Sequence, residues 1–373
     1  MARTFSVTTM TGWYCLLVVP LSSAFGATTR SSHFRVETRV STTMQSRGYS
    51  AKYRPELAII GGGKDYFESQ KPPKITDDFT VSFSSSVKLR SVSVLTGNRE
   101  GTEQLVQGVL ELSADGVNFQ KIGTFAEGKC EVHLDRTNAV AIRVRPTEDG
   151  DQRLVIRGID LKSDMRFGKV LRVPRVLVDT SRTPDLGDWG LEAQKVAEDT
   201  YDLISNELSE KGYIGPNCIH LVLNPEYKGI AETSNDLIQI SPTYIRGHQG
   251  DYGLIVHELT HTIQHYLRKT SFNWLTEGIA DYVRLYLYEP YSPRPKISES
   301  KSRYTDGYRT TAAFLAYAKE RFGRNFVNSL NQLVRDGKYD NSSFRNIAGK
   351  EPTELWITFL ADLRQGRTKV AHL

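Results

Sequence analysis

Between Val87 and Ser163, apolar and polar residues alternate in four runs: Val87 to Leu95, Val106 to Ser113, Val140 to Pro146 and Leu154 to Ser163. Period-two alternation rich in Val, Ile and Leu predicts half-buried strands. Gly-Asn, Asp-Gly and Glu-Gly pairs between the runs supply turns. Several short strands at this spacing predict an antiparallel β-sandwich over residues 56–163. The pattern then changes. Apolar residues from Trp189 to Leu208 (Leu191, Val196, Tyr201, Leu203 and Ile204 among them) recur with helical spacing. Ile219 to Asn224 and Asp236 to Ser241 read as strands, a long helix begins near Asp251, and helical patterns dominate the remainder. A few strands followed by helices predict an α+β domain over residues 168–373. The break falls between Ser163 and Pro174, so the chain is multidomain.

Residues 27–55 show no sustained hydrophobic period. They carry Arg30, Arg35, Arg39, Arg47, Lys52 and Arg54 against Glu37 alone, and read as a flexible basic linker. Ahead of them, Trp13 to Leu21 (WYCLLVVPL) follows a lone Arg3 and precedes the small residues Ala24 and Gly26. This is the layout of a secretory signal peptide over residues 1–26. The run falls short of the roughly 20 residues that span a bilayer. The mature protein is therefore expected to be secreted, extracellular or periplasmic, without a transmembrane segment. Gly61, Gly62, Gly63 and Lys64 lack the following Ser or Thr and the helix of a phosphate-binding loop, and read as a turn.

Composition narrows the function classes. The chain has 373 residues, 39% hydrophobic and 24% charged, with 29 glycines. That is an ordinary globular balance with room for two domains, and it excludes a disordered chain, a collagen-like fibre and a polytopic membrane protein. The 48 basic and 43 acidic residues give a net charge of +5, too balanced for a dedicated nucleic-acid binder. Removal of the leader takes Cys15 and leaves Cys130 and Cys218, one in each expected domain. They are expected to be buried and unpaired, and they are too few for a cysteine-based zinc site.

The candidate chemistry lies in Ile255 to Tyr266 (IVHELTHTIQHY), which contains H-E-x-x-H as His257, Glu258 and His261. On a helix, positions i and i+4 share one face, so both imidazoles can reach one ion, and Glu258 can reach water on it. Leu254, Ile255, Val256 and Leu259 surround the motif with apolar residues, as a buried active-site helix requires. A catalytic zinc takes three protein ligands and one open position. A third His ten positions after His257 is absent, because Leu267 stands there, and His265 does not fit that spacing. Asn273 to Arg284 (NWLTEGIADYVR) offers Glu277 as third ligand, with Asp281 one turn on to accept a proton from a ligand His. Tyr308 is the candidate donor to the oxyanion of the transition state, with Tyr304 second.

Two resemblances extend this reading. Leu110 to Phe125 (LELSADGVNFQKIGTF) resembles the hairpin of discoidin-like, coagulation-factor type C domains of the galactose-binding-like superfamily, which implies a glycan or lipid head-group ligand for the sandwich. The segments HELTHTIQHY, WLTEGIADYVR, DLIQISPTYI and GYRTTAAFLAY resemble the basic secretory protein family, zinc peptidases of plants and bacteria, across roughly Pro174 to Leu363. That resemblance implies a gluzincin-like zincin domain with Zn2+ on His257, His261 and Glu277, Glu258 as catalytic base, a peptide or protein substrate, and secretion. The alternative is a non-catalytic cell-surface or glycan-binding protein with a vestigial zinc site.

Overall fold

The computed structural model describes residues 35–208, 212–266, 272–340 and 342–373. The expected signal peptide and the start of the expected linker lie outside the described residues.

Eight strands build the first lobe: β1 (Arg35–Thr42), β2 (Phe67–Glu68), β3 (Phe79–Thr96), β4 (Gly108–Ser113), β5 (Gln120–Thr124), β6 (Lys129–Pro146), β7 (Val155–Ser163) and β8 (Arg166–Arg172), with a short helix α1 (Leu57–Ile60) after β1. The order is β2-β7-β3-β6-β4-β5, with β1 against β3 and β8 against β1. Each of these pairings is antiparallel except that of β1 with β8. β3 and β6 are 18 residues long, and their mutual register slips at Ser82/Val87 and Leu89/Ser91. Such irregularities bend and twist a strand. The long pair thereby folds over one core of Val40, Phe67, Phe79, Val81, Leu89, Val94, Leu110, Ile142 and Ile156. This is the antiparallel sandwich that the alternation predicts. In the β4–β5 hairpin, Asp115 accepts from Ser113 Oγ and from the amides of Val117 and Asn118, while Gly116 takes φ 83°. The carboxylate closes the turn and the missing Cβ admits the left-handed residue, so Ser-x-Asp-Gly suits this position. Residues 62–64 turn between α1 and β2, as expected.

The limits of the sandwich differ from the expected 56–163. β1 lies inside the expected linker, with Val36, Thr38, Val40 and Thr42 all turned inward. Half of its inward positions are threonine, so the apolar alternation is too sparse to stand out. At the other end β8 carries the sandwich on to Arg172. The chain changes lobes at Val173 and Pro174: the Val173 amide still bonds Val40 O, while the Arg175 amide already bonds Asn217 O.

The second lobe contains β9 (Arg175–Asp179), α2 (Gly187–Glu207), β10 (Cys218–Leu223), β11 (Ala231–Ser234), β12 (Leu237–Ile240), α3 (Pro242–Gly247), α4 (Gly253–Gln264), α5 (Asn273–Tyr282), a π-helical stretch Val283–Tyr288, α6 (Tyr308–Phe322), α7 (Phe326–Arg335), α8 (Ser343–Ala348) and α9 (Pro352–Arg364). β9, β10 and β12 run parallel, and β11 closes the edge antiparallel to β12. α2 crosses from β9 to β10 and packs on α4, with Ala193, Tyr201 and Ile204 facing a core that includes Leu221, Ile240, Ile255, Leu259 and Phe314. Cys130 in β6 and Cys218 in β10 are buried and unpaired. Among the described residues no helix is long and apolar enough to cross a membrane.

Residues 43–54, also inside the expected linker, form a strap from β1 across the second lobe. Gln45 Nε2 donates to Cys218 O at 2.6 Å and to Asp236 Oδ2 at 2.8 Å, and the Asn217 amide returns a bond of 2.7 Å to Gln45 Oε1. Asn217 Nδ2 donates to Met44 O and Ser46 Oγ. The Ala51 amide bonds Gly212 O, and the Ile214 amide bonds Tyr49 O. Arg175 Nη1 reaches Asp78 Oδ1 at 2.8 Å, where Asp78 is only 7% exposed. Residues 35–373 accordingly form one compact unit.

Removing the guanidinium would leave the Asp78 carboxylate buried without its ion partner. Losing a hydrogen bond to a buried charged group costs about 1.5–3 kcal/mol. Arg175→Ala is therefore expected to lower stability by about 2 kcal/mol in chemical denaturation, with both lobes still unfolding in one transition.

Candidate metal centre

Helix α4 is buried along almost its whole length, with His261 the exception on the cleft side. Its apolar residues face the sheet and α2, which leaves one face for His257, Glu258 and His261. Thr260 and Thr262 return their hydroxyls to the carbonyls of Val256 and Glu258, so these buried polar groups are satisfied within the helix. At the C-terminal end, Arg335 donates to Ile263 O and Gln264 O, and Tyr213 Oη donates to Ile263 O. These side chains serve carbonyls that have no partner within the helix.

Three acceptor atoms meet at the centre. His257 Nε2 and His261 Nε2 lie 3.2 Å apart, and Glu277 Oε2 of α5 is 3.3 Å and 3.4 Å from them. The other ring nitrogens are tied back. His257 Nδ1 meets Asp281 Oδ1 at 2.7 Å and His261 Nδ1 meets Gln264 Oε1 at 2.8 Å. Because a carboxylate oxygen and an amide oxygen accept, each Nδ1 carries a proton, and the neutral ring presents its Nε2 lone pair to the centre. Burial opposes charge on His257, but Asp281 and Glu277 outweigh it and lift its pKa to about 9. Burial likewise opposes charge on Glu277, yet the two imidazoles bring it down to about 2. The centre thus favours positive charge, and two imidazole nitrogens with one carboxylate oxygen suit zinc. Glu258 lies beside this set rather than in it. Its Oε2 accepts from Thr233 Oγ1 at 2.7 Å, which fixes the carboxylate toward the cleft.

A close approach of helices positions the rest. A Cβ on Gly278 of α5 would lie 2.2 Å from Thr311 Cγ2 of α6, so only glycine admits this contact. Thr311 Oγ1 in turn donates to Tyr304 O and accepts from the Gly307 amide. This turn brings Tyr308, at φ 42°, to the mouth of the site with its ring 6.2 Å from that of His257 and nearly parallel to it. The negative Glu277, and secondarily burial, raise the Tyr308 phenol above its ordinary pKa, so it remains a donor. Tyr304 instead packs against Trp274 and Phe314. His265 lines the cleft but lies outside the ligand set.

The cleft has a volume of about 880 Å³ and runs between edge strand β11 and the Tyr308 turn. Sequence reasoning names His257, Glu258, His261, Glu277, Asp281 and Tyr308, and the fold brings all six to this cleft. It misses Gln264 and Thr233. Gln264 stands three residues after His261, a spacing that could have flagged it as a helix-face neighbour. Thr233 sits in a four-residue strand whose sequence, AETS, carries no pattern.

No curated protein matches the chain in sequence. Solved structures are similar over about a third of it, in the N-terminal part. They include CBM32-1 from a family 31 glycoside hydrolase from Clostridium perfringens, at 16% identity, covering 33% of this chain and 92% of that one, with a TM-score of 0.28. The C-terminal domain of a chitobiase from Bacteroides fragilis matches at 20% identity, 34% and 94% coverage and a TM-score of 0.29. Residues 197–359, which hold His257, Glu258, His261, Glu277 and Asp281, match the model of the basic secretory protein family, described as a peptidase of plants and bacteria.

Proposed function

We propose that the chain is a secreted zinc peptidase whose second lobe hydrolyses peptide bonds and whose sandwich binds glycan. The observation that carries the first half is the convergence of three acceptor atoms beside a separately held carboxylate, Glu258. His257, His261 and Glu277 would hold the ion, and Asp281 and Gln264 would keep both rings in the required tautomer. A zinc ion held there would supply a Lewis acid for the attacking water and the scissile carbonyl. Glu258, oriented by Thr233, takes the proton of the attacking water and delivers it to the departing amine. The Tyr308 hydroxyl donates to the oxygen on which negative charge develops. The outer edge of β11, against which no strand lies among the described residues, offers backbone groups to an extended peptide, with Tyr227 Oη already on Ala231 O.

A groove of about 460 Å³ on the sandwich supports the second half. Tyr53 and Tyr66, with ring centroids 6.0 Å apart, share it with Lys64, Asp65, Asn98 and Arg99. Aromatic faces suit the apolar faces of sugars, and the flanking amide and charged groups suit their hydroxyls.

Metal analysis and peptide cleavage test the site together. Glu258→Gln is expected to keep stoichiometric zinc and to lose about 10²–10⁴-fold in turnover, the range of a general base. His261→Ala is expected to lose the metal as well. A Glu258→Gln variant that cleaves at near wild-type rate would remove the base from this position.

Asp281→Ala is expected to weaken zinc binding by about 10–100-fold in competition with a chromogenic chelator. An unchanged affinity would separate Asp281 from the ligand's orientation.

Tyr66→Ala is expected to weaken binding on a glycan array by about 3- to 10-fold, the worth of one aromatic contact, with peptide cleavage unaltered.

A further inference from the structure

We infer that Tyr49, carried by the strap of the first lobe, positions His265 as a wall of the metal cleft, so that the first lobe completes the substrate site of the second. The inference rests on reading that cleft as a peptidase site. His265 follows the last residue of α4 and takes the left-handed conformation at φ 46°. It lines the cleft next to His261 and Gln264 without joining the three converging acceptors. A non-glycine residue stays in this conformation only where its surroundings hold it. Here two aromatic rings do so. The Tyr49 ring centroid lies 4.0 Å from that of His265, and Tyr213 lies 6.3 Å from it with its plane inclined by 28°.

The strap is built to deliver Tyr49 to that point. Gly48 and Tyr49 both have positive φ, 61° and 49°, which turns the chain toward α4. Tyr49 O accepts from the Ile214 amide, and Ser50 bridges Tyr213. One left-handed residue from each lobe therefore faces the other, each fixed by hydrogen bonds in its own neighbourhood. Arg335 and Tyr213 hold the carbonyls at the end of α4. Tyr49 is the closer of the two rings on the imidazole itself. Substrate lying along this side of the cleft meets a ring whose place is set from the other lobe. Such a wall acts on substrate fit and leaves the water, Glu258 and the metal ligands untouched.

The test compares Tyr49→Ala, Tyr49→Phe and the wild type, each as the full zinc-loaded chain, on one cleaved peptide. Tyr49→Ala is expected to raise KM by about tenfold, the upper worth of an aromatic pair, with kcat within about twofold and zinc content unchanged. Tyr49→Phe keeps the ring and is expected to restore the wild-type KM. Hydrogen exchange supplies a readout that needs no turnover. The His265 amide, bonded to His261 O at 3.1 Å, is expected to exchange faster in Tyr49→Ala and at the wild-type rate in Tyr49→Phe. If Tyr49→Ala does not fold, His265→Gly removes the wall while easing the backbone, and the same rise in KM is expected. An unchanged KM and exchange rate in Tyr49→Ala, or a loss of kcat and zinc in place of a KM effect, overturns the inference. A wild-type chain that cleaves no peptide overturns the peptidase reading instead, and the exchange rates then decide the role of Tyr49 alone.

Discussion

Two imidazole nitrogens and a carboxylate oxygen held 3.2–3.4 Å apart repel one another unless positive charge lies among them. Much of the second lobe is arranged to keep them there. Each ring is pinned from behind, by Asp281 and by Gln264, so neither can rotate its lone pair away. The helix that carries both rings is walled by the sheet, α2 and α5, and its terminal carbonyls are served by Arg335 and Tyr213. The glycine contact between α5 and α6 then sets how near the carboxylate and the Tyr308 turn come to the rings. Electrostatic opposition inside the site is thus balanced by packing outside it, which is the usual relation between a strained functional centre and a well-filled core.

What could be read in the sequence follows from how local each signal is. His257, Glu258 and His261 share one helix face and Glu277 and Asp281 another, so fixed spacing reveals them. Thr233 reaches the cleft from a short strand, and Tyr49 reaches the cleft-lining His265 from a strap, and no periodicity announces either. The sandwich could be read where inward positions are Val, Ile or Leu, as in β4 and β7. It could not be read in β1, where threonines occupy half of them. The basic, Ser- and Thr-rich composition of residues 27–55 resembles a solvated tether. Among the described residues of that stretch, Gln45 and Ser46 bond the second lobe, and Thr43 and Arg47 bond the sandwich. Composition reports polarity but not whether the partner is water or protein.

The interface between the lobes is of that polar kind. Gln45, Asn217, Arg175 and Asp78 make directional bonds that fix register, whereas an apolar contact of similar area would tolerate sliding. Such a joint holds the groove at Tyr53 and Tyr66 at a fixed separation from the cleft at His257. Three residues of strap lie between Tyr49 and Tyr53, so over four Cα–Cα steps of about 3.8 Å the two backbones are at most about 15 Å apart along the chain.

The parallel pairing of β1 with β8 also bears on how the molecule is made. The sandwich receives its final strand only when Arg172 has been synthesised, because β8 lies directly against β1. Once it closes, the strap lies on the sandwich, with Arg47 on Glu68 and the Gln70 amide on Gln45 O, and its remaining partners arrive only with residues 212–218 and Asp236. Domains emerging from the ribosome fold N-terminal first. The nascent chain therefore passes through a stage at which a finished sandwich displays Gln45, Tyr49 and Asp78 as a prepared surface, and the later lobe is assembled against it.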